Sequence, residues 1–157
     1  MPCQHLVVDL VFHENGISFC DIGEINPNNR KLGTVGEIIY KNNKLFGVDT
    51  ISQLKTLARP VQVTRIDIDL DQQPDYIVNE FGFLTVSHTL YQKKGNEFER
   101  KVIKDVPGAT KIYLRDYNGD GLPDIYALFA QGNEGIFLFT NLGNGNFSEK
   151  QLIQFPP

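Results

Sequence analysis

A nine-residue pattern of oxygen-bearing side chains is the feature that most constrains this chain. It runs from Asp116 to Asp124 as Asp-Tyr-Asn-Gly-Asp-Gly-Leu-Pro-Asp, with side-chain oxygens at the first, third, fifth and ninth places. Alternate residues of a tight loop can direct such oxygens at one point, and calcium takes about six to eight oxygens. Gly121 stands where the chain must turn sharply, a conformation that glycine adopts without a steric penalty. The pattern therefore predicts a calcium-binding loop.

The same pattern occurs 49 residues earlier, from Asp67 to Asp75, with Gln72 in place of the glycine. A left-handed turn costs a non-glycine residue roughly 1–2 kcal/mol, so strain is expected at Gln72. Phe147 follows Phe98 at the same distance. A fixed period near fifty residues indicates a repeat architecture, in which one repeat cannot bury its own core. Calcium is the predicted cofactor, held by side-chain oxygens and by the carbonyl at the seventh place. The predicted ligands are Asp116, Asn118, Asp120, Leu122 and Asp124 in the later loop, and Asp67, Asp69, Asp71, Gln73 and Asp75 in the earlier loop.

Two other interpretations of these loops were open. An EF-hand begins with the same residues, but it needs an acidic ligand at the twelfth place and a helix on each side. The twelfth places are Ala127 and Val78, and both loops lie between strand candidates. The other alternative is a solvated acidic turn that binds nothing. It is disfavoured because several carboxylates would repel one another at close range without a counter-charge.

The sequence predicts short strands separated by turn residues over nearly all of the chain, with about four strands in each period. Ile125–Ala130 and Ile136–Phe139 are apolar on both faces, which predicts burial on both faces, whereas Phe147–Ile153 is more polar, as expected of an outer strand. This gradient favours the blades of a β-propeller over a two-sheet sandwich. The predicted strands are His5–Phe12, Ile17–Ile22, Val35–Tyr40, Leu45–Val48, Val61–Ile66, Tyr76–Val78, Leu84–Tyr91, Phe98–Ile103, Lys111–Arg115, Ile125–Ala130, Gly135–Thr140 and Phe147–Ile153.

The predicted fold class is therefore all-β: a β-propeller of about three four-stranded blades. Three blades cannot close a ring, since propellers use about four to eight. We therefore expect the chain to belong to a larger propeller, with further blades in the same parent chain, or to self-associate. Ile51, Leu54 and Leu57 stand at helical spacing before Pro60, where one turn of helix or an irregular link is expected.

Composition excludes several classes of partner. The net charge is −4 and no basic block suggests nucleic acid or an anionic membrane. The apolar runs are far too short to span a bilayer. The first residues lack a basic segment followed by a long apolar one, so they do not form a signal peptide. Either the protein is cytosolic, or its export signal lies upstream.

The cysteines and histidines suggest no metal centre or catalytic pair. Cys20 is expected to pack as a small buried group. A disulfide to Cys3 is disfavoured because, in a hairpin that turns near Asn15, residue 20 faces about residue 9. The histidines are scattered and are expected on the surface or in packing; they are His5, His13 and His88.

The repeat resembles the FG-GAP/VCBS type, the calcium-loop propeller blade that is also found in integrin α-subunits. The resemblance rests on an acidic loop, two apolar strands and then Asn141-Leu-Gly-Asn-Gly-Asn-Phe147. The resemblance is strong over residues 110–157, good over 60–109 and weak over 1–59. Residues 1–59 are therefore interpreted as a degenerate blade without an acidic loop. The Gly-Ala-Pro element of one branch is absent, and Phe129-Ala-Gln131 stands in its place. The chain therefore looks closer to bacterial VCBS-type proteins.

The resemblance implies a calcium-stabilised scaffold that is not an enzyme and binds a protein or glycan. It also implies an extracellular, periplasmic or cell-surface location. The alternative function is a non-catalytic part or accessory domain of a secreted enzyme that acts on polysaccharides or in redox chemistry. A cytosolic interaction propeller fits less well, because cytosolic calcium is too scarce to fill ordinary structural sites.

Overall fold

The computed structural model describes residues 6–14, 16–24, 30, 32–42, 44–51, 54–81, 86–106, 108–131 and 133–156. The elements in these residues are twelve β-strands. They are β1 Val7–His13, β2 Gly16–Asp21, β3 Thr34–Lys41, β4 Lys44–Thr50, β5 Pro60–Ile66, β6 Asp75–Phe81, β7 Val86–Lys94, β8 Glu97–Lys104, β9 Ala109–Arg115, β10 Asp124–Phe129, β11 Gly135–Asn141 and β12 Phe147–Gln154.

The strands form three separate four-stranded antiparallel sheets, each a meander in chain order. We call them blade 1 (β1–β4), blade 2 (β5–β8) and blade 3 (β9–β12). This confirms the prediction of an all-β chain with three four-stranded blades. Every predicted strand overlaps one observed strand. The predicted starts of the first and seventh strands, His5 and Leu84, lie outside the described residues.

Two apolar cores hold the blades face to face. The first core joins blade 1 to blade 2, and it consists of Cys20, Val35, Leu54, Leu57, Val63, Tyr76, Val78 and Tyr91. The second joins blade 2 to blade 3, and its buried residues are Ile68, Ile77, Leu90, Ala109, Ile112, Ile125, Ala127, Phe129, Phe137 and Phe139. Blade 2 is therefore covered on both faces, as a sheet with two apolar faces requires.

The segment between blades 1 and 2 packs into the first core. The Leu54 amide donates to the carbonyl of Ile51 at 2.8 Å, which closes one turn, and residues 52–53 lie outside the description. Cys20 lies opposite Asp9 in the β1–β2 hairpin and is fully buried, as predicted. Burial, followed by the charges of Asp9 and Asp21, raises the pKa of the Cys20 thiol to about 12. Cys3 lies outside the described residues.

Blade 3 is covered on one face only. Ile125, Ala127 and Phe129 are buried against blade 2. On the opposite face of the sheet, Leu128 is 37% exposed and Tyr113 is 68% exposed. The prediction that β10 and β11 are buried on both faces is therefore wrong for the outer face of β10, because no further sheet in the described residues covers Leu128. In β11, Leu138 on the same face is buried, as predicted.

A buried histidine lies between blades 2 and 3. His88 packs against the rings of Phe129 and Phe139, and its Nδ1 lies 2.6 Å from Asn79 Oδ1. Its Nε2 has no hydrogen-bond partner among the described residues. Burial lowers the pKa of His88 to about 3, because the aromatic surroundings disfavour the charged imidazolium. The prediction that this histidine serves packing agrees with its position.

We expect His88 to make the protein less stable as the pH falls below its ordinary pKa of about 6.5. The unfolded chain then takes up a proton on this residue and the folded chain does not, so the free energy of unfolding falls by at most about 1.4 kcal/mol per pH unit. Denaturant unfolding at pH 7.5 and 5.5 measures this, with His88→Gln as the comparison. Equal losses in both proteins would contradict the assignment.

Candidate metal centre

The two acidic loops occupy the same place in blades 2 and 3. Each joins the first strand of its blade to the second: residues 67–74 lie between β5 and β6, and residues 116–123 lie between β9 and β10. The ninth residue of each pattern, Asp75 or Asp124, is the first residue of the second strand. The two loops therefore lie at corresponding positions of neighbouring blades.

The ninth aspartate of each loop is a buried hydrogen-bond acceptor. Asp124 is fully buried; its Oδ2 accepts from the Tyr117 amide at 2.8 Å and its Oδ1 from the Asn141 amide at 2.7 Å. One carboxylate therefore ties the start of the loop to the end of the third strand. This contribution to the fold was missed in the sequence, where Asp124 was considered only as a metal ligand.

Asp75 repeats this arrangement in blade 2. Its Oδ2 accepts from the Ile68 amide at 2.9 Å and its Oδ1 from the Lys93 amide at 2.6 Å. Burial raises the pKa of Asp75 above its usual value, and the charges of Asp69 and Asp71 add to the rise, against the effect of the two amide donors. Burial is the largest of these effects, so this carboxylate lies where its charged form is disfavoured.

Three further aspartates of the first loop gather at one point. Asp67, Asp69 and Asp71 each place a carboxylate oxygen within 4.8 Å of the others. Among the residues that the structure describes, no other three acidic, histidine or cysteine side chains gather as closely. The Asp67 carboxylate accepts from the amides of Asp71 at 3.0 Å and Gln72 at 2.8 Å, which curls the loop around it.

Asp69 carries an oxygen without a partner. Its Oδ2 accepts from Gln92 Nε2 at 2.6 Å and from Lys94 Nζ at 3.1 Å, whereas its Oδ1 is buried and accepts from no donor in the described part of the chain. A buried charged acceptor left unsatisfied costs about 1–3 kcal/mol or more. A divalent cation would satisfy this oxygen, and a set of ligands made only of oxygens suits calcium. The first loop thus fits the predicted ion.

The second loop is held by its own hydrogen bonds. The Asp116 carboxylate accepts from the amides of Gly119 at 2.7 Å and Gly121 at 2.9 Å. Asn118 accepts from the Asp120 amide through Oδ1, and its Nδ2 donates to Asp120 Oδ2 at 2.8 Å. An amide at the third place gives this loop one carboxylate fewer than the first.

Leu122 and Gln73 hold the seventh place of the two loops, and both are partly buried. The Leu122 amide donates to Asp120 Oδ1 and the Gln73 amide to Asp71 Oδ1, each at 2.8 Å. These bonds fix the backbone around the seventh residue. The carbonyls of Leu122 and Gln73 remain predicted ligands.

The backbone of the two loops has the same shape but different residues at its left-handed positions. Gly119 and Gly121 have φ of 78° and 87°, where a side chain is disfavoured. The equivalent residues of the first loop are Leu70 and Gln72, with φ of 61° and 68°. The sequence indicated strain at Gln72, and the structure agrees. It missed Leu70, although the pairing with Gly119 was visible in the repeat.

Side chains outside the patterns connect the loops to neighbouring strands. Gln92, which donates to Asp69, accepts from Lys101 Nζ at 3.0 Å, and Lys101 Nζ also donates to the carbonyl of Asn144 in blade 3. Asn141 Nδ2 donates to the carbonyl of Ile68 at 2.9 Å, which links blade 3 to the first loop. Asn141 begins the glycine-rich motif noted in the sequence. Gln92 stands 49 residues before Asn141, and Lys101 stands 49 residues before Lys150, so the repeat could have indicated both.

Comparison with known proteins identifies one repeat. Residues 116–157 match the family model described as an FG-GAP-like repeat. This confirms the FG-GAP resemblance for that part of the chain; the closer likeness to VCBS-type proteins remains a prediction. No curated protein and no solved structure matches the chain. The described residues contain no helix long and apolar enough to cross a membrane.

Exchanging the left-handed residues between the loops tests their strain. We expect Gln72→Gly to stabilise the protein by up to about 1 kcal/mol, since it relieves roughly 1–2 kcal/mol of backbone strain and adds about 0.5–1 kcal/mol of unfolded-state entropy. The reciprocal Gly121→Gln should destabilise by a similar amount. Nothing lies within 4 Å of a Cβ at Gly121, so no clash contributes. Denaturant unfolding in a chelator measures both; changes of the same sign would refute the strain argument.

Removing the buried carboxylate tests its structural contribution. Asp124→Ala leaves the Tyr117 and Asn141 amides without their acceptor, and each loss costs about 1–3 kcal/mol. The matched variant Asp120→Ala removes an exposed carboxylate that accepts from one backbone amide. We expect the first variant to lose several times more stability than the second in a chelator. Equal losses would show that Asp124 does not hold the loop to β11.

Proposed function

With an FG-GAP-like repeat at residues 116–157 as the premise, we propose that this chain is a calcium-stabilised β-propeller scaffold that binds a protein or glycan outside the cytoplasm. The observation that carries the calcium part is the Asp69 Oδ1 atom. It is a buried carboxylate oxygen without a donor among the residues that the structure describes. It lies beside two further carboxylates, in a loop that is repeated in the next blade. An ion would complete a site that the protein leaves electrostatically unbalanced.

In the first loop, the ion would be held by Asp67, Asp69, Asp71 and Asp75 with the carbonyl of Gln73. In the second loop it would be held by Asp116, Asn118, Asp120 and Asp124 with the carbonyl of Leu122. The ion supplies positive charge and no redox or acid–base chemistry, so its effect is to stabilise the hairpin between the first two strands of a blade. The two amide donors on each ninth aspartate keep that carboxylate at the base of the loop.

We propose that the second loop binds calcium more tightly than the first. The extra carboxylate of Asp69 favours the first loop, but Lys94 Nζ lies 3.1 Å from its Oδ2 and would repel a divalent ion. Leu70 and Gln72 hold strained left-handed conformations that glycines hold in the second loop. A loop that must keep this shape to bind an ion keeps it at lower cost when the residues are glycines.

The binding part of the proposal draws on the family and on the architecture. FG-GAP repeats are generally non-catalytic propeller scaffolds and are typically found in extracellular proteins. Calcium outside the cytoplasm is abundant enough to fill ordinary structural sites, which suits acidic loops of this kind. A rigid stack of blades presents connecting loops at its ends, and such loops on a rigid scaffold are where ligands bind.

Calcium should raise the melting temperature, and a chelator should lower it. Binding to the folded state alone stabilises a protein by about 2.7 kcal/mol at a hundredfold excess over the dissociation constant. We expect Asp120→Ala to lose more of this calcium-dependent shift than Asp71→Ala. Asp105→Ala is the control, because this exposed acid lies between blades 2 and 3 and outside both loops. Thermal melts in calcium and in chelator measure the shifts.

A melt of the parent protein that is unchanged by the chelator would reject calcium binding. A larger loss in Asp71→Ala than in Asp120→Ala would leave calcium in place and reverse the proposed order of the loops.

The ligand class is tested separately by probing a glycan array with the calcium-loaded chain and with Asp120→Ala. Calcium-dependent binding to a defined group of glycans would select glycans over proteins as the ligand.

A further inference from the structure

Two apolar sheet faces lie at opposite ends of the stack. The leading face is the side of blade 1 turned away from blade 2, and it consists of Leu10, Phe12, Ile17, Phe19, Ile38 and Val48. The trailing face is the side of blade 3 turned away from blade 2. Its apolar residues are Tyr113, Tyr126, Leu128, Ile136, Leu138 and Ile153, and Lys111 and Lys150 stand on the same side. Phe12 is 76% exposed and Tyr113 is 68% exposed. Exposed apolar surface on two sheets marks a site of association.

The leading and trailing faces correspond to the two sides of the blade–blade interface. This interface occurs twice within the chain, between blades 1 and 2 and between blades 2 and 3. In the second strand of blade 2, Tyr76 and Val78 face blade 1, whereas Ile77 faces blade 3. Tyr126 of the trailing face stands 49 residues after Ile77, the period of the repeat. In blade 1, Cys20 faces blade 2, so the leading face is the side with which blades 2 and 3 each contact the preceding blade.

Polar contacts at the rim repeat in the same way. Lys150 of β12 stands 49 residues after Lys101, whose Nζ donates to the carbonyl of Asn144 in the next blade at 2.7 Å. Asn144 lies in the turn between the third and fourth strands of blade 3, with φ of 53°. Asn42 lies in the corresponding turn of blade 1, with φ of 51°. A leading face placed on a trailing face would thus put the corresponding turn of blade 1 near Lys150.

We propose that the leading face of one copy of this chain packs on the trailing face of a second copy. The contact is head-to-tail, because it joins two different faces, and such contacts form a closed ring when the rotation allows it. Two copies supply six blades, within the roughly four to eight that propellers use. A closed pair covers both faces of each copy and leaves neither exposed. This assembly does not rest on calcium binding.

Sedimentation equilibrium on three variants tests the arrangement. We expect the parent chain to show twice its 17.8 kDa mass, and we expect Phe12→Glu and Tyr113→Glu to show the single mass. Both replaced side chains are largely exposed, so thermal melts should show that the variants fold. Val102→Glu is the control: its side chain is 43% exposed in blade 2, outside both end faces, and it should keep the doubled mass.

The mixture of the two defective variants identifies the head-to-tail contact. Phe12→Glu keeps an intact trailing face and Tyr113→Glu an intact leading face, so an equimolar mixture should regain the doubled mass through one interface. It should do so at a higher concentration than the parent needs, because a single contact replaces two. A monomeric parent chain, a series of larger masses, a dimeric single variant or a mixture that stays monomeric would each overturn the proposal.

Discussion

The structure depends on one constraint: a four-stranded sheet that is apolar on both faces must be covered on both. Blade 2 meets this requirement, with the Cys20 and Val35 side chains on one side and the aromatic cluster of blade 3 on the other. The stabilisation that hydrophobic burial provides is roughly proportional to the apolar area buried and has no preferred direction. It therefore explains why the sheets stack, but it does not by itself define how one sheet is placed on the next.

Directional polar contacts supply that placement. Tyr76 of blade 2 donates its hydroxyl to Glu37 of blade 1 at 2.6 Å. Gln62 of blade 2 accepts from the Ile112 amide of blade 3 at 2.9 Å and from Asn79, whose Oδ1 contacts His88. A buried polar group costs free energy unless its partners are in place, so these bonds penalise a shifted stack.

The acidic loops of blades 2 and 3 also depend on directional polar contacts. The ninth aspartate is buried and bound to two backbone amides, so it belongs to the fold whether or not an ion is present. The earlier aspartates of the first loop are crowded, and no described residue donates to one oxygen of Asp69. The loop thus combines a part that the protein satisfies by itself with a part that a cation would complete. Its ninth position belongs to the first part, because its carboxylate accepts from two backbone amides.

The sequence alone determined the strand order, the repeat and the positions of the oxygen-bearing side chains in the two loops, because hydrophobic alternation and oxygen spacing are local properties of the chain. It also indicated strain at Gln72, since only the backbone conformation and the residue type enter that argument. Only the tertiary structure showed that Asp124 is bound by the Asn141 amide, that Gln92 and Lys94 contact Asp69, and that one face of blade 3 is open. Those facts depend on which side chains meet across strands and blades, and no spacing along one strand encodes such contacts.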